Sequence, residues 1–195
     1  MYSPFTPTGP GDWQYWDVNQ DGTVDFILIQ SCLITQDVPP SGMAYSFGIQ
    51  PSAGNSVFGV GSSVSVLPAG AEISLTPTLP GGWLQSPPYG SLLVGAWAAN
   101  LWEETWSGWS GPMADVPEGY LGLRFLAADG YHLGWLRVHR GGDGTLATIV
   151  PVDFAWATQA DQPLFAGVVP EPASAALLAL ALGFLNTLRG RRFPG

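Results

Sequence analysis

Glycine and proline interrupt this chain so often that few segments are long enough to form a helix. Together they supply 44 of the 195 residues, 26 Gly and 18 Pro, about twice the usual share. Between them lie short runs rich in β-branched and aromatic residues, which read as strands over 26–34, 44–49, 62–67, 72–75, 92–98, 121–126, 131–139 and 146–154. Hydrophobic residues make up 46% of the chain and include nine Trp, more apolar surface than a disordered polymer carries. Charged residues are only 11% and none is Lys, so the residues that fill solvent-facing helix positions are largely missing. These observations exclude a helical bundle. They predict an all-β chain built as an antiparallel β-sandwich or jelly-roll-like domain over residues 1–168.

The clearest local signal is Asp129-Gly130 between two alternating runs, a pair suited to a two-residue type I′ hairpin turn. That turn places Ala128 opposite Tyr131 and sets Leu121, Leu123 and Phe125 across from Val138, Leu136 and Gly134 on a core-facing side. On the other side Arg124 meets Trp135 and Gly122 meets Arg137, an arrangement in which an Arg can lie over an indole. Pro151, inside the next run, implies an edge position or a break in the ladder.

Charge divides the chain. Residues 1–169 hold fourteen of the fifteen acidic residues against Arg124, Arg137 and Arg140, whereas the last 26 residues hold Glu171 against Arg189, Arg191 and Arg192. The acidic body would repel phosphate backbones and anionic lipid, which excludes nucleic acid as a partner and leaves cations as ligands. The single Cys, Cys32, lies in an apolar run and can form neither an internal disulfide nor a thiolate metal site; it reads as a buried, inert residue.

One acidic segment has the spacing of a calcium loop. Asp17, Asn19, Asp21 and Asp25 occupy loop positions 1, 3, 5 and 9, Gly22 occupies position 6, and the Thr23 carbonyl adds a ligand at position 7. Alternate residues of a tight loop can converge oxygens on a hard cation while Gly permits the turn. Position 12 is Leu28 instead of a bidentate Glu, and a strand follows where an EF-hand has a helix. The expected site is weak, with Kd on the order of 10⁻⁴ to 10⁻³ M as in extracellular modules, and Val24 is placed to pack inward. The same residues also suit a metal-free turn rich in Asx hydrogen bonds.

Trp97, Trp102, Trp106 and Trp109 make a dense aromatic run, with Trp13 and Trp16 far upstream. Core packing is the ordinary fate of Trp in a β-domain. In the polar stretch 102–109, however, Trp102, Trp106 and Trp109 are candidates for stacking on sugar rings. Glu103 and Glu104 are adjacent, so on a strand they point to opposite faces and cannot flank one glycosidic bond. The chain has two His, His132 and His139, and no Gly-x-Ser-x-Gly, which gives nucleophilic catalysis little support. The expected sites on opposite faces of a strand also keep the two His from sharing a metal. No Gly-containing loop carries the Lys and following helix of a phosphate site. The body therefore reads as non-enzymatic.

The C-terminal end is the most specific motif. Pro170-Glu171-Pro172 is followed by an apolar stretch over 173–188 and by Arg189, Arg191 and Arg192. As a helix, 173–188 would be about 24 Å long, short of a hydrocarbon core of about 30 Å. Its flanking Arg would remain on the cytoplasmic side, with the acidic body outside. This order resembles the PEP-CTERM sorting signal of Gram-negative bacteria that make exopolysaccharide. The runs 120–125 and 132–138, followed by Asp153-Phe154-Ala155-Trp156, resemble the body of many proteins of that family. The resemblance implies a secreted β-domain without assigned catalytic residues, processing of the 169–195 tail by an exosortase-type membrane enzyme, and association with exopolysaccharide in the envelope or extracellular matrix. An exported chain is also expected to open with a basic and then apolar leader. Met1 to Trp13 contains three Pro and no basic residue, which suggests a misassigned start or a trimmed leader. Two other function classes stay open beside the matrix protein: a calcium-dependent carbohydrate-binding module and a polysaccharide hydrolase.

Overall fold

The computed structural model describes residues 2–4, 13–35, 42–85, 92–100, 107–141 and 148–169. Among the described residues there is no helix, and hence none long and apolar enough to cross a membrane. The strands are β1 (Tyr2–Pro4), β2 (Trp13–Trp16), β3 (Phe26–Thr35), β4 (Gly42–Pro51), β5 (Ser56–Val60), β6 (Ser63–Val64), β7 (Val66–Leu67), β8 (Glu72–Ile73), β9 (Gly82–Leu84), β10 (Leu92–Asn100), β11 (Ser107–Ser110), β12 (Glu118–Ala127), β13 (Gly130–Gly141), β14 (Thr148–Trp156) and β15 (Leu164–Phe165). Over the described residues the chain is all-β and sandwich-like, as expected, and the helix expected over 173–188 lies outside them.

Hydrogen bonding links most strands in one path, β1-β14-β13-β12-β5-β6-β10-β4-β3-β2, and all pairs are antiparallel except the Leu93↔Ser63 bridge of β10 with β6. The path curls back on itself. Trp16 of β2 packs edge-on against Phe154 of β14, with ring centroids 4.8 Å apart, although these strands stand near opposite ends of the path. Gln30 of β3 likewise donates to the Ile149 carbonyl of β14 at 3.0 Å. One layer is thus β2-β3-β4-β10 and the other β5-β12-β13-β14. Between them lies the main core, including Phe26, Leu28, Phe47 and Ile49 from the first layer and Leu121, Leu123, Phe125, Leu136 and Val138 from the second.

The second layer is covered on its outer side as well. Tyr120, Leu133, Trp135 and Ala155 pack there beneath Leu67, Ile73, Leu164 and Ala166, which belong to β7, β8, β15 and the chain just beyond. β8 and β15 pair through Leu164↔Ile73 and Phe165↔Glu72 as a small separate sheet over that face. Burial on both faces explains the consecutive buried runs 121–123 of β12 and 132–136 of β13, where a one-sided strand would alternate.

The β12–β13 hairpin corrects the expected register. The closing pair is Ala127↔Gly130, so the turn residues are Ala128 and Asp129, and partners slide by two positions: Leu121↔Leu136, Leu123↔Gly134 and Gly122↔Trp135. Positive φ occurs at Gly130 alone, at 136°, and not at Ala128 or Asp129. The turn is therefore not type I′, and the glycine serves at the first strand position after it. Because the slide is by two residues, each side chain keeps its expected face. Arg124 now faces Leu133, and the indole beneath its guanidinium is that of Trp83, at 5.3 Å, with Tyr131 at 4.8 Å. Pro151 marks a break, as expected: the β13–β14 register shifts after Arg137↔Asp153, and Val138 pairs with Pro151.

Candidate functional site

The Asp17–Asp25 segment is the loop of the β2–β3 hairpin, closed by Trp16↔Phe26 and by Asp25 N–H donating to the Trp16 carbonyl at 2.9 Å. Its sharp course depends on left-handed backbone at Gln20, φ 63°, and Gly22, φ 88°. The carboxylate of Asp17 accepts from Asp21 N at 3.2 Å and from Gly22 N at 2.8 Å. Asn19 Oδ1 also accepts from Asp21 N at 3.2 Å, while its amide donates to Asp21 Oδ2 at 2.9 Å. Asp21 Oδ1 accepts from Thr23 N at 2.8 Å. The Asn19 amide, and then the Thr23 N–H, hold the Asp21 carboxyl below its ordinary range.

The structure thus gathers Asp17, Asn19, Asp21 and Thr23 into a solvent-facing crown and separates Asp25 from it. Asp25 is only 2% exposed. Its carboxylate turns inward, accepting from Val18 N at 2.9 Å and from the Asn55 amide at 3.1 Å. Burial raises its pKa, and the nearby Asp17 and Asp21 charges add to the rise, against the lowering effect of the Val18 and Asn55 hydrogen bonds. Among the described residues no three His, Cys, Asp or Glu side chains are grouped as a metal set. The buried valine of the loop is Val18, at 1% exposure, whereas Val24 is half-buried. Val24, expected to pack inward, therefore reaches the interior only in part, and Val18 fills the core position beneath the loop.

Asn55, which sequence reasoning missed, ties this loop to the opposite layer. Its amide donates to the Asp25 carbonyl at 3.0 Å as well as to the carboxylate, and its Oδ1 accepts from Leu126 N of β12 at 2.9 Å. The residue is 4% exposed. An Asn one position before a strand resembles an ordinary turn residue, and nothing in the local sequence distinguishes this one.

Of the expected sugar-stacking residues, Trp102 and Trp106 lie outside the described residues, as do Glu103 and Glu104. Trp109 is in β11, where its backbone pairs with Trp97. The tail residues Pro170, Glu171, Pro172, Arg189, Arg191 and Arg192 also lie outside the described residues, as does the side chain of Cys32. Two other aromatic residues are conspicuous for their exposure, Trp13 at 59% and Tyr15 at 64%. The alternation Trp13-Gln14-Tyr15-Trp16 was the signal that could have marked them as one outward face.

The two His are not brought together. His132 is buried, its ring nitrogens facing Asp129 Oδ1 and the Ala157 carbonyl at 2.8 Å each, and its ring is stacked on Phe125. It acts as a clamp between the hairpin turn and the end of β14, and its hydrogen bond keeps the Asp129 carboxyl below its ordinary range. His139 is half-buried and pairs in register with Glu118. On the outer side of the second layer, Arg137 Nε donates to Asp153 Oδ1 at 2.9 Å and Nη2 donates to Oδ2, a fork that holds a carboxylate only 3% exposed.

Comparison with known proteins finds no matching family model, no matching curated protein and no matching solved structure.

Proposed function

We propose that this chain is an exported, non-enzymatic surface or extracellular-matrix protein, delivered by a C-terminal PEP-CTERM-type signal and associated with exopolysaccharide. The observation that carries the reading is the order Pro170-Glu171-Pro172, apolar 173–188, then Arg189, Arg191 and Arg192, placed directly after an all-β body. In this reading 173–188 forms one helix held in the membrane with the Arg cluster inside, and an exosortase-type enzyme cleaves at or near the motif. A surface exit for the tail supports it. Val168 and Val169, the last described residues, are 52% and 44% exposed, and Trp135 Nε1 donates to the Val168 carbonyl at 3.0 Å, so the body is fastened up to the point where the tail begins. The test is intact-mass measurement of surface material from a host with an exosortase-type enzyme. A mature chain ending before the apolar stretch is expected, and a full-length C-terminus would overturn processing. Deleting 170–195 should divert a folded body to the periplasm or medium.

A second reading, a calcium-dependent carbohydrate-binding module, is favoured by the crown of Asp17, Asn19, Asp21 and Thr23. Oxygens that now accept backbone N–H bonds keep further lone pairs for a hard cation, and Asp25 would act from beneath by ordering the loop. With Kd on the order of 10⁻⁴ to 10⁻³ M, 10 mM calcium stabilises the fold by about 1.4–2.7 kcal/mol. The melting temperature of the tail-less body should rise by several degrees, and Asp21→Ala should abolish that rise. An unchanged wild-type melting temperature would leave the segment as a turn only.

A further inference from the structure

β2 stands at the end of the sheet path and presents an outward face that the main core does not use. Trp16 points inward at 7% exposure, so alternation turns Trp13 and Tyr15 outward, where they are 59% and 64% exposed. On a strand they stand about 6.8 Å apart. The register extends the face across two more strands: Tyr15 lies beside Ile27 and Gln50, Trp13 beside Ile29 and Gly48, and Ser31 beside Ser46. Ile27 and Ile29 are half-buried, forming a shallow apolar floor next to the rings. The Ser31 and Ser46 hydroxyls are within 2.6 Å of each other.

An exposed indole and phenol on the same side of one strand are costly features for a face with no role. Their chemistry narrows the occupant. Among the described residues, the face combines flat aromatic surfaces with hydroxyl and amide groups and contains no ionisable side chain of Asp, Glu or Arg. The surrounding 1–169 body carries fourteen acidic residues against three Arg, a field that disfavours anionic polymers, phosphate groups and acidic peptides. An uncharged pyranose polymer fits both conditions. Its C–H faces stack on aromatic rings, its hydroxyl edges meet Gln50 and the serines, and it loses nothing to electrostatic repulsion.

We propose that the Trp13/Tyr15 face of β2-β3-β4 is a stacking platform for an uncharged polysaccharide. This deepens the exopolysaccharide association proposed above and rests on that reading for its biological setting, although the binding itself requires neither the tail nor calcium. It places the platform on residues different from Trp102, Trp106 and Trp109.

The test is affinity electrophoresis of the full chain in gels containing hydroxyethyl cellulose, xylan or galactomannan, with alginate as the anionic comparison. Retardation is expected in at least one neutral gel and not in alginate. Trp13→Ala with Tyr15→Ala should weaken it at least tenfold without lowering the melting temperature, while Trp13→Tyr with Tyr15→Trp should retain it. Retardation equal in the alanine variant, or none in any neutral gel, overturns the proposal. So does concentration-dependent dimerisation that the alanine pair abolishes, which would make the face an interface between copies. Intact mass and surface localisation of the alanine variant separate the two readings. Normal export with lost binding supports the platform, normal export with full binding overturns it alone, and failed export of wild type overturns the sorting reading while the gel result still stands.

Discussion

Replacing Asn55 with Ala tests whether the calcium-like loop and the opposite layer are a single unit. Asn55 is 4% exposed and bonds both to Asp25 and to the backbone of β12. The substitution removes an acceptor from Leu126 N and a donor from the carboxylate of a residue that is 2% exposed. The Asp25 carbonyl keeps a donor, Ser52 N at 2.9 Å, so that atom adds little. Leaving Leu126 N without a partner costs about 1–3 kcal/mol, and the Asp25 carboxylate, which keeps the Val18 N–H, loses one charge-assisted hydrogen bond worth about 1.5–3 kcal/mol. Water can reach Leu126, whose side chain is 50% exposed, so the sum belongs near 2–4 kcal/mol. For a chain of this size, where 1 kcal/mol shifts the melting temperature by about 2–4 °C, the variant should melt roughly 5–15 °C lower. The deficit should also depend on pH. The Asn55 hydrogen bond favours the ionised form of Asp25, so its loss matters most where Asp25 is charged and should shrink on acidification. Differential scanning calorimetry across pH measures the shift, and amide hydrogen exchange at Val18 and Leu126 locates it. A melting temperature within about 2 °C of wild type, or a deficit that grows on acidification, would refute the network as drawn.

Two other outcomes are expected. Asp25→Asn should flatten part of the stability profile: burial raises the Asp25 pKa above its ordinary value near 3.8, so wild type gives up stability as pH rises through the folded-state value, whereas the amide does not titrate and still accepts from Val18 N; identical slopes in urea titrations of the two proteins would refute it. Gly59→Ala should unfold the chain or cost more than about 3 kcal/mol, because a Cβ there would meet the Ser63 carbonyl at 2.3 Å and Leu84 Cδ1 at 2.6 Å; a soluble variant with wild-type stability in denaturant would show that β5 and β6 can separate.

The strand list shows what the sequence could reveal and what it could not. β3, β4, β10, β12, β13 and β14 were legible because each is long, apolar on at least one side and bounded by turn residues. β2, β5, β9 and β11 were not. β5, Ser56–Val60, contains Gly59, which reads as a breaker, yet Gly is there because β6 and β9 approach too closely for any Cβ. β9 is three residues beside Pro80 and Gly81, a length at which turn signals dominate. The hairpin register differs for a related reason: Asp129-Gly130 signals a two-residue turn, but only the glycine takes the unusual backbone, and it stands one position after the turn.

The candidate sites divide along the same line. Spacing alone placed Asp17, Asn19, Asp21 and Thr23 in one loop, where the first three accept backbone N–H bonds and Thr23 N donates one. Spacing could not show that Asp25 turns inward, because that orientation is set by Asn55, thirty residues away in sequence, and by Val18 taking the core position beneath the loop. The aromatic face had the opposite problem. Its residues are local, but the exposure that makes them informative depends on Trp16, the residue after Tyr15 and so on the opposite face of the strand, finding Phe26 and Phe154 in the core. Once Trp16 is anchored there, the pleat fixes Trp13 and Tyr15 outward. An anchoring contact between the two layers therefore determines which aromatic residues reach solvent, and a change at Trp16 would disturb the proposed platform without touching it.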